Sequence, residues 1–228
     1  FNTNQCYPGT AASGLWNYTC TPGACAGTSS ATQNWTCTFP LWFNSDATDV
    51  GSQFASDNWL AYASVTDSSF ASSSRSESSV GTELLQFLGY DLSTTSIAYG
   101  GLQPGQSADL LSSTSVALLA EGNVGLDQSL YGDDMCPSYP TCSGNATSTI
   151  FVANQKYASS SQTYAVATST LSASVQYLNF HVRKTTATNT IQSKTTYWGI
   201  LVPGTITLSG SYIGRNYIFG VTSPATAW

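Results

Sequence analysis

The feature that most constrains the fold is a two-residue alternation of apolar and polar side chains, repeated in short stretches along the chain. Leu178, Phe180 and Val182 alternate with more polar neighbours, and the stretch from Trp198 onward has the same period. Successive side chains of a strand point to opposite faces of its sheet, so this alternation predicts half-buried β-strands. No segment shows a sustained apolar period of 3.6 residues. The sequence therefore predicts an all-β fold with antiparallel sheets and little or no helix.

Turn-forming pairs such as Gly100-Gly101, Pro104-Gly105 and Pro203-Gly204 separate the alternating stretches. Short strands with a turn about every ten residues are typical of a β-sandwich or barrel. The predicted strands are 35–43, 59–65, one or two within 82–99, 116–120, 126–130, 149–152, 163–167, 176–182, 198–202 and 217–221.

Charged side chains are unusually rare. They make up 8% of the 228 residues, and the formal net charge is -6, whereas an ordinary soluble domain has roughly 25% charged residues. Nucleic-acid binding needs clustered cations, and here the six are scattered, so that function is excluded. No apolar run approaches the ~20 residues that span a bilayer. The cations are Lys156, Lys184, Lys194, Arg75, Arg183 and Arg215.

Composition divides the chain into two predicted domains. Residues 1–33 are rich in Gly, Thr, Pro, Ala and Cys and have too little apolar material for a core of their own. We expect 1–89 to hold this Cys-rich segment plus a small immunoglobulin-like β domain, and 90–228 to form a β-sandwich domain. Phe1 is expected to be a processed N-terminus.

The cysteines and sequons predict a secreted glycoprotein. The six cysteines are an even set without paired CxxC motifs, and the only histidine is His181, so disulfides are favoured over zinc and indicate an extracellular or cell-surface location. Cys136 and Cys142 are expected to close their own loop, and the other four allow three pairings. These four are Cys6, Cys20, Cys25 and Cys37, and the predicted glycosylation acceptors are Asn17, Asn34 and Asn145.

An enzymatic function is not predicted. A glycosidase needs two carboxyls facing each other across a cleft, yet Glu77, Glu83 and Glu121 are not placed in aromatic-flanked strands. His181 lacks the G-x-S-x-G elbow of a triad hydrolase. The carboxylates that we considered for calcium, Asp127, Asp133 and Asp134, lack the D-x-D-x-D-G pattern. We therefore expect no catalytic residue, no metal and no cofactor, with a secreted hydrolase as an alternative.

Aromatic side chains give a second alternative, a carbohydrate-binding module. Six Trp and thirteen Tyr could form a sugar-stacking surface, although most lie at alternating strand positions. Trp16, Trp42 and Trp228 have the placements least typical of a core.

Residues 34–44, 57–67 and 154–216 together resemble repetitive immunoglobulin-like β-sandwich exoproteins of bacteria and archaea. The likeness includes a closing hairpin from Trp198 through Pro203-Gly204 to Gly210 and Gly214. It implies a fold and a surface location but no chemistry, and it does not cover the Cys-rich opening segment.

The expected function is a structural subunit of an extracellular, pilus-like filament or of a surface layer. Immunoglobulin-like units can assemble when a neighbour adds a strand to an open sheet. The expected partners are copies of the same chain in a head-to-tail homopolymer, with glycans as a further possibility, and the N-terminal segment is the candidate donor strand.

Overall fold

The computed structural model of the protein describes residues 19–22, 34–38, 41–66, 69–186 and 190–228, with the backbone alone for 19–22. Within these residues every strand pair is antiparallel and no α-helix forms. The prediction of an all-β antiparallel fold is confirmed. The strands are β1 (Thr19–Pro22), β2 (Trp35–Thr38), β3 (Tyr62–Ala63), β4 (Ser76–Glu77), β5 (Tyr90–Leu92), β6 (Ser107–Ala108), β7 (Ser115–Ala120), β8 (Leu126–Gly132), β9 (Gln155–Ala158), β10 (Ser169–Thr170), β11 (Gln176–Val182), β12 (Ser193–Leu201) and β13 (Asn216–Thr222), with 3-10 turns at Ser112–Thr114, Val152–Asn154 and Ala225–Ala227.

Two sheets form the body of the molecule. The larger has six strands in the order β10-β9-β12-β7-β5, with β6 also paired to β12. The smaller has three strands in the order β11-β8-β13. The remaining strands form two separate pairs, β1 with β2 and β3 with β4.

The two sheets pack against each other as a β-sandwich, with apolar side chains between them. One cluster joins Leu118 of β7 with Leu126 of β8 and Phe180 of β11. A second joins Leu130 of β8 with Trp198 of β12, and both of these side chains are fully buried. Burying an apolar side chain of this kind contributes about 1.5–3 kcal/mol, so these clusters are the main source of stability.

The strand with the clearest alternation has the predicted bounds and faces. In β11, Phe180 and Val182 are buried, whereas Tyr177, Asn179 and His181 are exposed.

Alternation within the predicted strand 217–221 suggests that Phe219 faces the core, but the structure places it outside. In β13 the Phe219 side chain is 39% exposed on the outer face, and Ile218 packs inward. The buried Gly220 lies against the Tyr90 ring, to which an added Cβ would approach within 2.8 Å. The face of β13 that carries Ile218 and Gly220 points inward, because β5 lies close to it and leaves no room for a large side chain at Gly220. Sequence alternation does not reveal this contact.

Two predicted strands are absent. Within 149–152, Ile150 makes only an isolated bridge with Met135. Residues 164–166 form a turn, and the strand follows later, at β10. Short apolar runs distinguish poorly between strands and buried loops.

The strands predicted before residue 90 are shorter than expected or absent. β2 covers only the start of 35–43, of which 39–40 lie outside the described residues. Residues 59–65 contain the two-residue β3. Residues 83–89 are irregular and lie beside the sandwich. The Asn123 N–H donates to the Phe87 carbonyl oxygen at 3.0 Å, and the Glu121 N–H donates to the Gly89 carbonyl oxygen at 2.9 Å. The domain boundary at residue 90 stays a prediction, with these bonds crossing it.

Candidate assembly groove

The larger sheet extends further to one side than the smaller sheet. β11 is the edge strand of the smaller sheet, and in the described part of the chain its strand partner is β8 alone. The larger sheet continues past β12 to β9 and β10. A groove follows this side of the sandwich, beside β11, and we call it the assembly groove.

The assembly groove has two parts that both contact Ser159. One part, of about 210 Å³, lies between Leu178 of β11 and the ends of β9 and β10. The other, of about 490 Å³, lies between Asn179 and Phe180 of β11 and residues 193–197 of β12. Apart from Tyr157, Leu178, Phe180 and Tyr197, the lining side chains are small or polar, most of them Ser or Thr.

Two strand edges border the assembly groove. β12 pairs with β7 through residues 193–197, but β9 pairs with β12 only through residues 197–200. Residues 193–196 therefore have a strand partner on one side only, among the residues described. Phe180 of β11 lies opposite them, and the Nζ of Lys194, one of these four residues, donates to its carbonyl oxygen at 2.7 Å. A strand edge of this kind presents main-chain donors and acceptors to an incoming chain.

One end of β11 is fixed by a bulge. The register with β8 shifts between Leu178 and Val182, where His181 has a φ of +49°. The His181 main-chain N–H donates to Asp127 Oδ1 at 2.7 Å, and its ring Nδ1 lies 3.3 Å from the same oxygen. His181 and Asp127 thus have a structural role at this bulge, a common device at the end of an edge strand.

The outer face of the smaller sheet carries a row of aromatic rings, which we call the aromatic face. Tyr131 stacks on Tyr217 with ring centroids 4.4 Å apart, and Phe219 lies 6.0 Å from Tyr131. The hydroxyls of Tyr139 and Tyr217 donate to Asp133 Oδ2 at 2.9 and 3.4 Å. The hydrogen bond to Asp133 raises the pKa of Tyr139.

The aromatic face is not among the features predicted from the sequence. The aromatic residues with placements least typical of a core are Trp16, Trp42 and Trp228, of which Trp16 lies outside the described residues. Trp42 is half-buried, and Trp228 packs against the core and donates its Nε1 hydrogen to the Ser223 carbonyl oxygen at 2.9 Å. The sequence feature that could have predicted the aromatic face is the placement of aromatic residues at odd-numbered positions in β8 and β13.

The three candidate glycosidase carboxyls are all exposed and lie in different segments. Glu77 is in β4, Glu83 lies in the irregular stretch before β5, and Glu121 follows β7. None of them lines the assembly groove.

The three aspartates considered for calcium have separate partners. Asp127 bonds to His181, Asp133 to the tyrosine hydroxyls, and Asp134 Oδ1 accepts the Val152 N–H at 2.7 Å. No group of three or more His, Cys, Asp or Glu side chains suited to a metal ion occurs among the described residues.

The structure contains the predicted disulfide between Cys136 and Cys142. Cys37 is disulfide-bonded, and its register partner across the β1–β2 pair is Cys20. Cys6, Cys25 and the side chain of Cys20 lie outside the described part, so the pairing of the first four cysteines stays open.

Two of the three predicted glycosylation acceptors are described, and both are exposed. Asn34 precedes β2, and Asn145 lies in a turn where its Oδ1 accepts bonds from the Thr147 N–H and hydroxyl. Asn17 lies outside the described residues.

No protein-family model, curated protein or solved structure matches this chain. None of the helices in the described ranges is long and apolar enough to cross a membrane.

Proposed function

We propose that this protein is a non-enzymatic structural subunit of an extracellular filament, in which a segment of one copy adds as a strand beside β11 of the next. The assembly groove supports this proposal, because it lies where the smaller sheet of an immunoglobulin-like sandwich would take another strand. An added strand there would cover the inner face of β9 and β10 and pair with the edge of β11.

The edge of β11 is long enough to pair with such a strand. β11 has seven residues, which at about 3.3 Å per residue gives an edge of about 23 Å. Each main-chain hydrogen bond formed along it contributes about 0.5–1.5 kcal/mol. Apolar side chains of the added strand would pack on Leu178 and Tyr157, which line the part with the smaller volume.

The N-terminal segment is the proposed donor. Its composition gives it no core of its own, and a donor from one copy to the next makes a head-to-tail contact that does not close on itself. Contacts of this type propagate into fibres. A low charge content, 8% of residues, favours close packing of copies, because interface centres are depleted of charged side chains.

Filling the groove tests this proposal. Ser159 is exposed and contacts both parts of the groove, so Ser159→Trp should block the incoming strand and leave a folded monomer. Ser113→Trp, at an exposed position in a 3-10 turn that does not line the groove, should still polymerise. Negative-stain electron microscopy and sedimentation velocity at high concentration distinguish filaments from monomers.

Removing the donor gives the complementary result. Deletion of residues 1–15 should abolish filaments while circular dichroism shows the sandwich still folded. Filaments that persist in this deletion would exclude the N-terminal donor, and a wild-type protein that stays monomeric at high concentration would exclude the proposal.

A second candidate function, glycan binding, is favoured by the aromatic face. Stacked Tyr rings beside a carboxylate and the Arg215 guanidinium, 5.8 Å from the Tyr217 ring, combine apolar stacking with hydrogen bonding, as sugars require. In affinity electrophoresis, Tyr217→Ala should reduce the retardation of the protein by a polysaccharide in the gel. Tyr62→Ala, which changes an exposed Tyr in β3, should not. Equal retardation of both variants and wild type would remove this candidate.

A further inference from the structure

A lysine and an aspartate are in direct contact inside the protein. Lys184 Nζ touches Asp46 Oδ1, and the two side chains are 8% and 6% exposed. Residues 44–48 are buried throughout, although four of the five are polar. A buried ion pair is costly, because both charges lose their hydration, so this contact needs an explanation beyond stability.

Neighbouring contacts hold the two partners in place. The Trp59 indole N–H donates to the Asp46 carbonyl oxygen at 2.9 Å. Next to Lys184, the Thr185 hydroxyl donates to the Ala120 carbonyl oxygen at 2.8 Å and accepts the Gln192 N–H at 3.1 Å. The amine and the carboxyl are therefore fixed against each other from two separate segments of the chain.

We propose that Lys184 and Asp46 condense into an internal amide, an isopeptide cross-link between residues 41–49 and the sandwich. The Lys184 amine attacks Asp46 Cγ, a C–N bond forms and the C–OH bond breaks. The leaving hydroxyl takes one proton from the amine nitrogen and departs as water. Nothing is oxidised or reduced, and no co-reactant is needed.

The surroundings favour this reaction. Burial lowers the pKa of Lys184 to about 8 by penalising the ammonium form, although an ionised Asp46 opposes that shift. A dry site favours proton transfer from ammonium to carboxylate, which produces the neutral amine and acid that react. Fixed contact between two reacting groups replaces a bimolecular encounter and raises the effective concentration by several orders of magnitude.

The cross-link is independent of the proposed filament, because it forms within one chain and a monomer would contain it. Mass spectrometry of the full chain tests it. Protein made in a host that does not glycosylate, then reduced and denatured, should be lighter than its sequence by one water. A protease digest should yield one branched peptide that contains both Asp46 and Lys184.

Matched variants identify the bond. Lys184→Arg keeps the charge but removes the reacting amine, and should restore the full sequence mass. The control is Lys156→Arg, at a lysine whose Nζ donates to the Tyr164 carbonyl oxygen at 3.1 Å. This variant should still show the loss of one water. If Lys184→Arg does not fold, the digest of the wild-type protein alone decides whether the cross-link is present. Separate linear peptides for Asp46 and Lys184, or a water loss that survives Lys184→Arg, would overturn the proposal.

Discussion

The sandwich and the region before it, residues 41–89, are stabilised by different kinds of contact. Between the sheets, Trp198 and Leu118 are fully buried in apolar clusters. In the described part of 41–89 the two strands have two residues each, and the most buried stretch, 44–48, is mainly polar. Many large apolar side chains there are exposed, namely Leu41, Val50, Leu60, Tyr62, Val65, Phe70, Val80, Leu85, Phe87 and Leu88.

The difference shows that apolar content alone does not produce a core. Residues 41–89 are positioned by specific polar anchors. The Thr48 N–H donates to the Leu84 carbonyl oxygen, the Leu84 N–H donates to the Thr48 hydroxyl, both at 2.8 Å, and the Asn123 side chain joins this region to the sandwich. We therefore expect 41–89 to unfold locally at lower free energy than the sandwich.

The largest expected effect comes from the sandwich core. Trp198 is fully buried, so Trp198→Ala should lower the free energy of unfolding by about 3–5 kcal/mol through the cavity that it leaves. Urea denaturation followed by circular dichroism measures this loss. Phe219→Ala, at a partly exposed aromatic on the outer face, is the control and should cost far less. Similar losses for the two would mean that the sheets do not pack as described.

A smaller effect is expected where the two regions touch. An added Cβ at Gly122 would collide with the Phe87 carbonyl oxygen, and at 2.5 Å with the Gly89 nitrogen. Both are main-chain atoms that cannot rotate away, so Gly122→Ala should cost about 3 kcal/mol, the upper part of the range for overpacking. The control is Gly101→Ala, because nothing lies within 4 Å of its added Cβ. A neutral Gly122→Ala would show that 82–89 does not rest on the sandwich.

The smallest effect is the most selective. Asn123 accepts the Phe87 N–H with its Oδ1 and donates from Nδ2 to the Leu85 carbonyl oxygen, at 2.5 and 3.0 Å. Asn123→Ala removes both bonds and should cost about 1–2 kcal/mol. Hydrogen exchange should accelerate in 84–88 and stay unchanged in β8 and β12. Asn154→Ala, in a 3-10 turn, should leave 84–88 protected, and faster exchange throughout the sandwich in Asn123→Ala would contradict the separation of the two regions.

The sequence was sufficient for features that depend on local pattern. Alternation predicted β11 with its bounds and its buried face, because one side of that strand packs on a core and the other meets solvent. The spacing of Cys136 and Cys142 predicted their disulfide, since a short loop brings the two sulfurs together. Both predictions needed only neighbouring residues.

Features that depend on distant residues were missed. The assembly groove exists because β9 and β10 extend past β11, which is a property of strand order and not of any one strand. Lys184 and Asp46 each look like ordinary surface residues, and only the fold brings them together in a dry interior. Phe219 points outward because Gly220 must face Tyr90, a contact between strands far apart in the sequence.

Strand β12 has a consequence for how the chain reaches this structure. Its partners β6, β7 and β9 all precede it in the sequence, and it pairs with each of them. During synthesis the earlier strands therefore lack their central partner until Leu201 has been added to the chain. The complete larger sheet can form only after that point, when most of the chain has already been made.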